Sequence, residues 1–168
     1  MSLAATYDLV GLAAAIRAKR VSAREAVQDC LAAIDRLQPV LNCMIRLDAE
    51  TALAAADACD RELAQGKSRG PLHGVPLAQK DMYYRAGTVA TCGSKIRRDF
   101  VPDHTATALT RLDAAGAICL GTLHMAEFAF GPTGHNHHFG PCRNPSDTAR
   151  ITGGSSSGSG AGVAAGLF

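Results

Sequence analysis

The residue with the clearest potential for chemistry is Lys80, which lies in the mostly apolar segment Gly74-Val-Pro-Leu-Ala-Gln-Lys-Asp81. A lysine inside an apolar strand is unfavourable unless it is paired, or unless burial lowers its pKa until the amine is neutral. A neutral amine in a dry site can act as a general base near neutral pH. The alternative is a lysine that extends to solvent at the end of a strand and pairs with Asp81. These residues alone leave both interpretations open.

A second candidate is the segment Gly153-Gly-Ser-Ser-Ser-Gly-Ser-Gly-Ala-Gly162. Glycines let a backbone approach a substrate closely, and amides at the start of a helix stabilise negative charge. The hydroxyls can carry protons. Composition alone favours a flexible linker, but the apolar residues 163–168 follow directly and favour an ordered segment.

Two other patterns do not support a binding site. The segment Gly160-Ala-Gly-Val-Ala-Ala165 fits a dinucleotide-binding spacing, but it follows a serine-rich loop where that site needs a strand. The cluster His135-Asn-His-His138, with His124 and Glu127 upstream, could hold a metal ion. Its spacing matches no standard metal site, so we predict neither a metal nor a cofactor.

Composition indicates one globular domain and excludes several partners. The chain has 168 residues, of which 47% are hydrophobic and 19% charged, with a net charge of +2. Aromatic residues are only 5% and there is no Trp, which argues against stacking on single-stranded nucleic acid. The densest basic run is Lys95-Ile-Arg-Arg98. We therefore predict neither a nucleic-acid partner nor a membrane surface.

The cysteines indicate a reducing compartment. There are six, none of them in a C-x-x-C pair, and the N-terminus lacks the pattern of a signal peptide. We expect reduced, mostly buried thiols and a cytoplasmic protein. No apolar stretch approaches about eighteen residues, so no transmembrane helix is predicted.

The elements that must position the two chemical segments follow from caps and periodicity. We predict a helix capped by Asp8 that reaches Ala18, and a second that begins at a Ser22–Glu25 capping box and reaches about Leu37, where Pro39 stops it. A strand over 43–47 precedes a helix over 48–65.

The sequence pattern of the second half predicts a strand, a helix and a second strand. This order favours parallel pairing of the two strands in an α/β core. The predicted strands cover 75–82 and 117–122, and the helix between them covers 106–115 with Thr105 as its cap. The expected core residues are Val75, Leu77, Leu109, Leu112, Ile118 and Leu120. Residues 131–160 read mostly as loop, which in a compact domain is functional or disordered. Residues 158–168 read as the first turns of a helix in which the chain ends without a cap.

Five ordered segments together resemble the amidase signature family. They are Gly74–Asp81, Gly87–Ser94, Gly121–Gly131, Phe139–Pro145 and Gly153–Gly160. The first helices also look like the N-terminal region of that family. The resemblance implies an α/β fold with a mixed, largely parallel sheet flanked by helices, present here only in part and truncated at its C-terminus. It implies one domain, with residues 1–68 as a helical N-terminal region and 69–168 as the start of the catalytic core.

The resemblance also implies site residues. The family uses a lysine, a bridging serine and a nucleophilic serine, and the first two correspond to Lys80 and Ser155. The family often holds the bridging serine by a cis peptide, expected here at the bond to Ser156. Supporting positions are Gly153, Gly154 and Ser156, and the loop from Gly131 to Gly134, including Thr133, is expected near the substrate.

The implied activity is hydrolysis of a carboxylic amide, with a small-molecule amide as substrate. The family places its nucleophile and oxyanion hole in a later glycine-rich segment that these 168 residues do not contain. We therefore expect the chain alone to be inactive. Alternatives are a glutamine amidotransferase component, a non-catalytic binding partner of another protein and a metal-binding module. Apolar faces left open by a partial sheet predict a homo-oligomer or association through the exposed core.

Overall fold

The structure, a computed structural model, describes residues 3–168. In chain order the elements are α1 (Leu3–Thr6), α2 (Leu9–Arg17), α3 (Ala23–Leu41), β1 (Met44–Leu47), α4 (Ala49–Ala64), β2 (Pro76–Lys80), α5 (Thr107–Ala114), β3 (Ile118–Leu123), β4 (Arg143–Asn144), β5 (Asp147–Ile151) and α6 (Ser157–Ala164). Short 3₁₀ turns lie at Lys95–Arg97 and Glu127–Ala129.

The predicted helix starts of the first half are confirmed. The Asp8 carboxylate accepts the amide of Gly11 at 2.7 Å, and the capping box is complete, with Ser22 and Glu25 each bonding the other's backbone amide. A further acceptor comes from α4, where the Asp60 carboxylate takes the amides of Ala23 at 2.7 Å and Arg24 at 3.0 Å. The start of α3 is therefore fixed both locally and by its neighbour.

The prediction that Pro39 stops α3 was wrong, because the helix continues to Leu41 with Pro39 inside it. A proline so close to the end of a helix removes one backbone bond but leaves little helix to disturb. Gln38 supports this last turn, since its side-chain oxygen accepts the amides of Cys43 at 3.0 Å and Met44 at 2.9 Å. Leu41 is buried, which favours the extra turn.

The central sheet has three strands in the order β1-β3-β2. β2 and β3 are parallel, as the strand–helix–strand pattern predicted, and β1 is antiparallel to β3. The intervening helix α5 begins at Thr107 with Ala106 as its N-cap, so the prediction that Thr105 caps it was wrong. The Thr105 hydroxyl instead accepts the amide of Ala86 at 3.1 Å, which ties the long 81–106 loop to the start of α5.

The main core lies where α3 and α4 pack on the sheet and α6 closes one side. Its buried members include Val27, Ile34, Ala56, Leu120 and Leu123. Four of the six predicted core residues are buried, but Leu77 and Leu112 are only half-buried. Those two line a cleft beside the end of β2.

The segment after residue 131 is more ordered than the sequence predicted. β4 and β5 form a small antiparallel hairpin within the stretch predicted as loop. The expectation that the chain ends inside a helix was also wrong, because α6 ends at Ala164. Gly166 then turns the backbone with φ of 65°, and Leu167 returns to the core, where it is fully buried.

Two further features concern the state of the cysteines and the length and polarity of the helices. All six cysteines are free; five are buried and Cys119 is half-buried. Within residues 3–168, no helix has the length and apolar character needed to cross a membrane.

The support that α4 gives to α3 is testable with two aspartates of α4. Asp60→Ala leaves two amides of the first turn of α3 without their acceptor and should lower the free energy of unfolding by about 1–3 kcal/mol. Asp57→Ala removes a half-exposed ion pair with Arg24 and should cost less than about 1 kcal/mol. Urea unfolding of both variants checks this, and equal losses would contradict the capping role of Asp60.

Candidate active site

Lys80 ends β2 and points its amine at the serine-rich segment. Its Nζ lies 2.7 Å from Oγ of Ser155 and 2.9 Å from Oγ of Ser156, donating a hydrogen bond to each. Burial lowers the pKa of Lys80 from its ordinary value of 10.5. The structure therefore joins the two chemical segments of the sequence at one point.

Asp81 does not pair with Lys80, so the interpretation of a solvent-facing lysine paired with its neighbour was wrong. The Asp81 carboxylate is 1% exposed and accepts the amide of Thr91 at 3.0 Å together with the Thr91 hydroxyl. The Asp81 carbonyl accepts the amide of Cys92 at 3.1 Å. These bonds anchor the 91–94 turn to the end of the strand that presents Lys80.

The serine segment has an unusual backbone. The peptide bond between Gly154 and Ser155 is cis, so the prediction of a cis bond between Ser155 and Ser156 placed it one residue too late. Ser156 is the N-cap residue of α6, yet its side chain makes no capping bond. Its hydroxyl is used by Lys80 instead, which indicates that this helix start is shaped around the lysine.

The glycines of the loop 131–134 let it pack directly against the serine segment. A β-carbon on Gly154 would lie 2.6 Å from the backbone nitrogen of Gly134 and 3.0 Å from the carbonyl oxygen of Gly131. Gly134 itself has φ of 76° and would clash with the carbonyl of Gly153 if it carried a side chain. The backbone of Gly131 thus lies against the site.

Thr133 is the member of the predicted site that the structure does not bring to Lys80. It is exposed, and its hydroxyl accepts the amide of His135 at 3.4 Å. Its predicted place near the substrate stays a prediction.

A buried amide holds the base of this loop. Asn136 is 5% exposed, and its Nδ2 donates to the carbonyls of Gly93 at 2.7 Å and Met125 at 2.9 Å. Its Oδ1 accepts the amides of His138 at 2.8 Å and Phe139 at 3.1 Å. Because all of these hydrogen bonds are internal, the segment that follows the loop is fixed relative to the 91–94 turn.

The carboxylate of Glu127 makes a second set of contacts around this loop. Its Oε1 accepts the hydroxyl of Ser94 at 2.5 Å and lies 2.9 Å from Nε2 of His138. These two contacts lower the pKa of Glu127. The ionised carboxylate therefore joins three segments around the loop.

The histidine-rich stretch does not assemble a metal site in the described part of the chain. No group of three or more His, Cys, Asp or Glu side chains there is placed to hold an ion. His138 binds Glu127, and His124 lies in the interior, where it bonds Ser157 and the carbonyl of Gly140. These two histidines, considered above as metal ligands, form contacts within the protein.

A cleft of about 490 Å³ opens beside the lysine. Its lining is largely apolar apart from Gln79, Lys80 and two serines, and includes Leu77, Tyr83 and Leu109. Small-molecule sites commonly combine an apolar wall with a few polar groups of this kind.

Sequence reasoning missed Asn136, Asp81 and His124 as supports of the site. Asp81 had a signal, because an aspartate that follows a buried strand needs partners nearby. The partners of Asn136 and His124 come from distant segments, and no local pattern could have identified them.

Comparison with known proteins identifies the family. A family model described as Amidase matches residues 25–168. The chain belongs to the amidase signature family. Over 159 residues it is 45% identical to the A component of glutamyl-tRNA(Gln) amidotransferase from Lachnospira eligens, covering 95% of this chain and 33% of that protein. The chain thus spans about a third of the length of the curated relatives it matches.

Solved structures of this amidase family agree with the fold. A chain from a vestigial protein complex, studied for the origins of an s-triazine catabolic enzyme, is 43% identical with a TM-score of 0.92, covering 96% of this chain and 36% of that one. The peptide amidase of Stenotrophomonas maltophilia is 36% identical with a TM-score of 0.91, covering 98% of this chain and 35% of its own. The fold is therefore that of a partial amidase-signature domain.

The close packing of the site can be tested with two glycines of one segment. Gly154→Ala puts a methyl group against the backbone of Gly131 and Gly134 and should destabilise the protein by about 1–3 kcal/mol. Gly160 lies within α6, where a β-carbon would meet no atom within 4 Å, so Gly160→Ala should stabilise by about 0.5–1 kcal/mol. Thermal unfolding of the two variants measures these opposite signs, and a neutral Gly154→Ala would contradict the described contact.

Proposed function

We propose that Lys80 and Ser155 are two of the three catalytic residues of an amide hydrolase that works through an acyl-enzyme. The observation that supports this most directly is the amine of Lys80, partly withdrawn from water and held between two hydroxyls. Membership of the amidase family supports a hydrolase-type reaction at a carboxylic amide. The substrate class we propose is a small-molecule amide.

The lowered pKa of Lys80 suits the first proton transfer. A neutral amine has a lone pair and can accept a hydrogen bond from the hydroxyl of Ser155. Ser155 can then take the proton of the nucleophile while passing its own to Lys80, so that the nucleophilic oxygen attacks the amide carbonyl without becoming a free alkoxide. In this scheme Ser155 shares protons and does not attack.

The second half of the reaction reverses the transfer. Lys80, now charged, returns the proton through Ser155 to the departing nitrogen, and the C–N bond breaks. Water then attacks the ester formed on the nucleophile and releases the acid. Ser156, Gly153 and Gly154 support this relay by fixing the position of Ser155, and the loop from Gly131 to Gly134, including Thr133, faces the substrate.

We further propose that the nucleophilic serine and the oxyanion donors come from outside these 168 residues. Removing a single oxyanion donor commonly costs a hundredfold or more in rate, on the order of 10²–10³. The chain alone is then inactive. In this scheme residues 1–68 are the helical N-terminal region of the domain and residues 69–168 begin its catalytic core.

A second candidate function is that of an amidotransferase component that hydrolyses glutamine. It is favoured by the relatives, which are named as part of a glutamyl-tRNA(Gln) amidotransferase. The same relay serves both reactions, since each cleaves a carboxylic amide. Comparing glutamine with simple aliphatic and aromatic amides as substrates of this chain joined to the remaining part of a relative separates the two. A folded extended chain that binds partners but hydrolyses none of these amides would indicate a non-catalytic binding role.

The setting we propose is a cytoplasmic assembly. Six free thiols suit a reducing compartment. The relatives are named as components of a larger enzyme, and one structural neighbour comes from a protein complex. Self-association of the chain is the simplest form of such an assembly, and light scattering after gel filtration measures it.

The proposal is tested by adding the remaining part of a relative to this chain. A chimera joins residues 1–168 to the remaining part of the Lachnospira eligens protein and is assayed for amide hydrolysis. We expect the chimera to be active, and Lys80→Ala and Ser155→Ala each to lower kcat/KM by about a thousandfold or more.

The matched control is Ser146→Ala, at an exposed serine in the turn between β4 and β5, which should leave the rate unchanged. The unextended chain should show no turnover. Hydrolysis by that chain itself would mean that one of its own serines is the nucleophile. A rate that survives Lys80→Ala would exclude the lysine as the base.

The direction in which the pKa of Lys80 is shifted determines how kcat/KM should depend on pH. Because the neutral amine is the active form, kcat/KM of the chimera should rise with pH and level off above the pKa of Lys80, at a pH below 10.5. Stopped assays across the alkaline pH range measure this rise in kcat/KM. A rate that falls over the same range would contradict a basic role for the amine.

A further inference from the structure

His124 connects three separate segments at the end of β3. It is fully buried. Its backbone amide donates to the carbonyl of Cys43 at 2.8 Å, and its carbonyl accepts the amide of Gly158 at 2.8 Å. The backbone of one residue therefore links the segment before β1 to the first turn of α6.

The imidazole of His124 makes two further hydrogen bonds. The chemistry of its partners determines which atom donates in each. Nε2 lies 2.8 Å from the carbonyl oxygen of Gly140, and Nδ1 lies 2.8 Å from Oγ of Ser157. A carbonyl oxygen can only accept, so Nε2 must carry a proton. In the neutral ring Nδ1 is then an acceptor, and the Ser157 hydroxyl must donate to it.

The surroundings keep this ring neutral. Burial lowers the pKa of His124, and the bond to Gly140 opposes that shift only in part. The segments packed on it bring the thiols of Cys43 and Cys142, whose pKa values burial raises to about 12 and about 11, so both are uncharged. Lys80, the strand neighbour of Leu123, is the adjacent cation on β2, and its amine is turned to the serines.

Ser157 is the residue through which this ring reaches the site. It is 2% exposed and directly follows Ser155 and Ser156 as the first residue of α6. Gly134 packs on its β-carbon, since a side chain on Gly134 would approach that atom to 2.8 Å. A fixed Ser157 therefore fixes both the serine pair and the loop that packs against it.

We propose that neutral His124, protonated on Nε2, is a positioning residue that holds Ser157 and thereby sets the two serine hydroxyls against Lys80. The functional part of this inference rests on the proposed function. A serine bonded to a histidine can also be a nucleophile with its base. Here both residues are almost fully enclosed, with His124 at 0% and Ser157 at 2% exposure, so the pair positions other groups and does not react.

The tautomer is measured on the 168-residue chain itself. Long-range ¹H–¹⁵N NMR distinguishes protonated from bare ring nitrogens. We expect His124 at neutral pH to carry its proton on Nε2 with Nδ1 unprotonated. A proton on Nδ1, or a charged ring at that pH, would overturn the proposal without any variant being made.

The positioning effect is measured through the amine of Lys80, by NMR titration of its Cε in Ser157→Ala and His124→Ala. If the serine turn loosens, the amine gains water and its pKa should rise toward 10.5. His124→Asn keeps an acceptor near the position of Nδ1 and should restore part of the wild-type value. Val27→Ala, a buried change in the main core, serves as the control for general destabilisation.

A Lys80 pKa that moves equally in Val27→Ala, or stays unchanged in folded Ser157→Ala and His124→Ala, would overturn the positioning role. These readouts need no substrate. A failure of the hydrolytic proposal would therefore leave them intact, and their failure would leave the assignment of Lys80 and Ser155 standing.

Discussion

The contact between the amine of Lys80 and the hydroxyls of Ser155 and Ser156 is the constraint on which the rest of this structure depends. It joins residues 75 and 76 positions apart in the chain. An amine can be partly withdrawn from water only where polar partners replace the water that it loses. The end of β2 and the start of α6 must therefore be held together to within a hydrogen-bond length by the surrounding segments.

Buried hydrogen bonds and close backbone packing hold the end of β2 and the start of α6 at that distance. The Asp81 carboxylate fixes the turn that follows β2, and His124 fixes the first turn of α6. Gly154 and Gly134 let two loops touch through their backbones, which side chains would prevent. Hydrogen bonds are direction-dependent, so they define one arrangement where apolar packing alone would tolerate several.

Sequence patterns predicted most helices and strands, whereas the geometry of the site depends on contacts between distant segments. The caps at Asp8 and Ser22 could be predicted because neighbouring residues determine them. The parallel pairing of β2 and β3 could be predicted because a helix lies between the two strands in the chain. The continuation of α3 past Pro39 could not, since it depends on the side chain of Gln38 and on burial of Leu41. The family resemblance pointed to Lys80 and Ser155, but the partners of Asp81 and His124 lie in segments that only the folded chain brings together.

The central claim, that Lys80 and Ser155 bind each other within this chain, is tested most directly by a double-mutant cycle on unfolding free energy. Lys80→Met, Ser155→Ala and their combination are compared by urea unfolding, with a parallel cycle of Lys80→Met and Ser146→Ala as the reference. The account predicts a coupling of about 0.5–1.5 kcal/mol in the first cycle and none in the second. Strict additivity in both cycles would show that the two side chains do not interact, and would contradict the site described above.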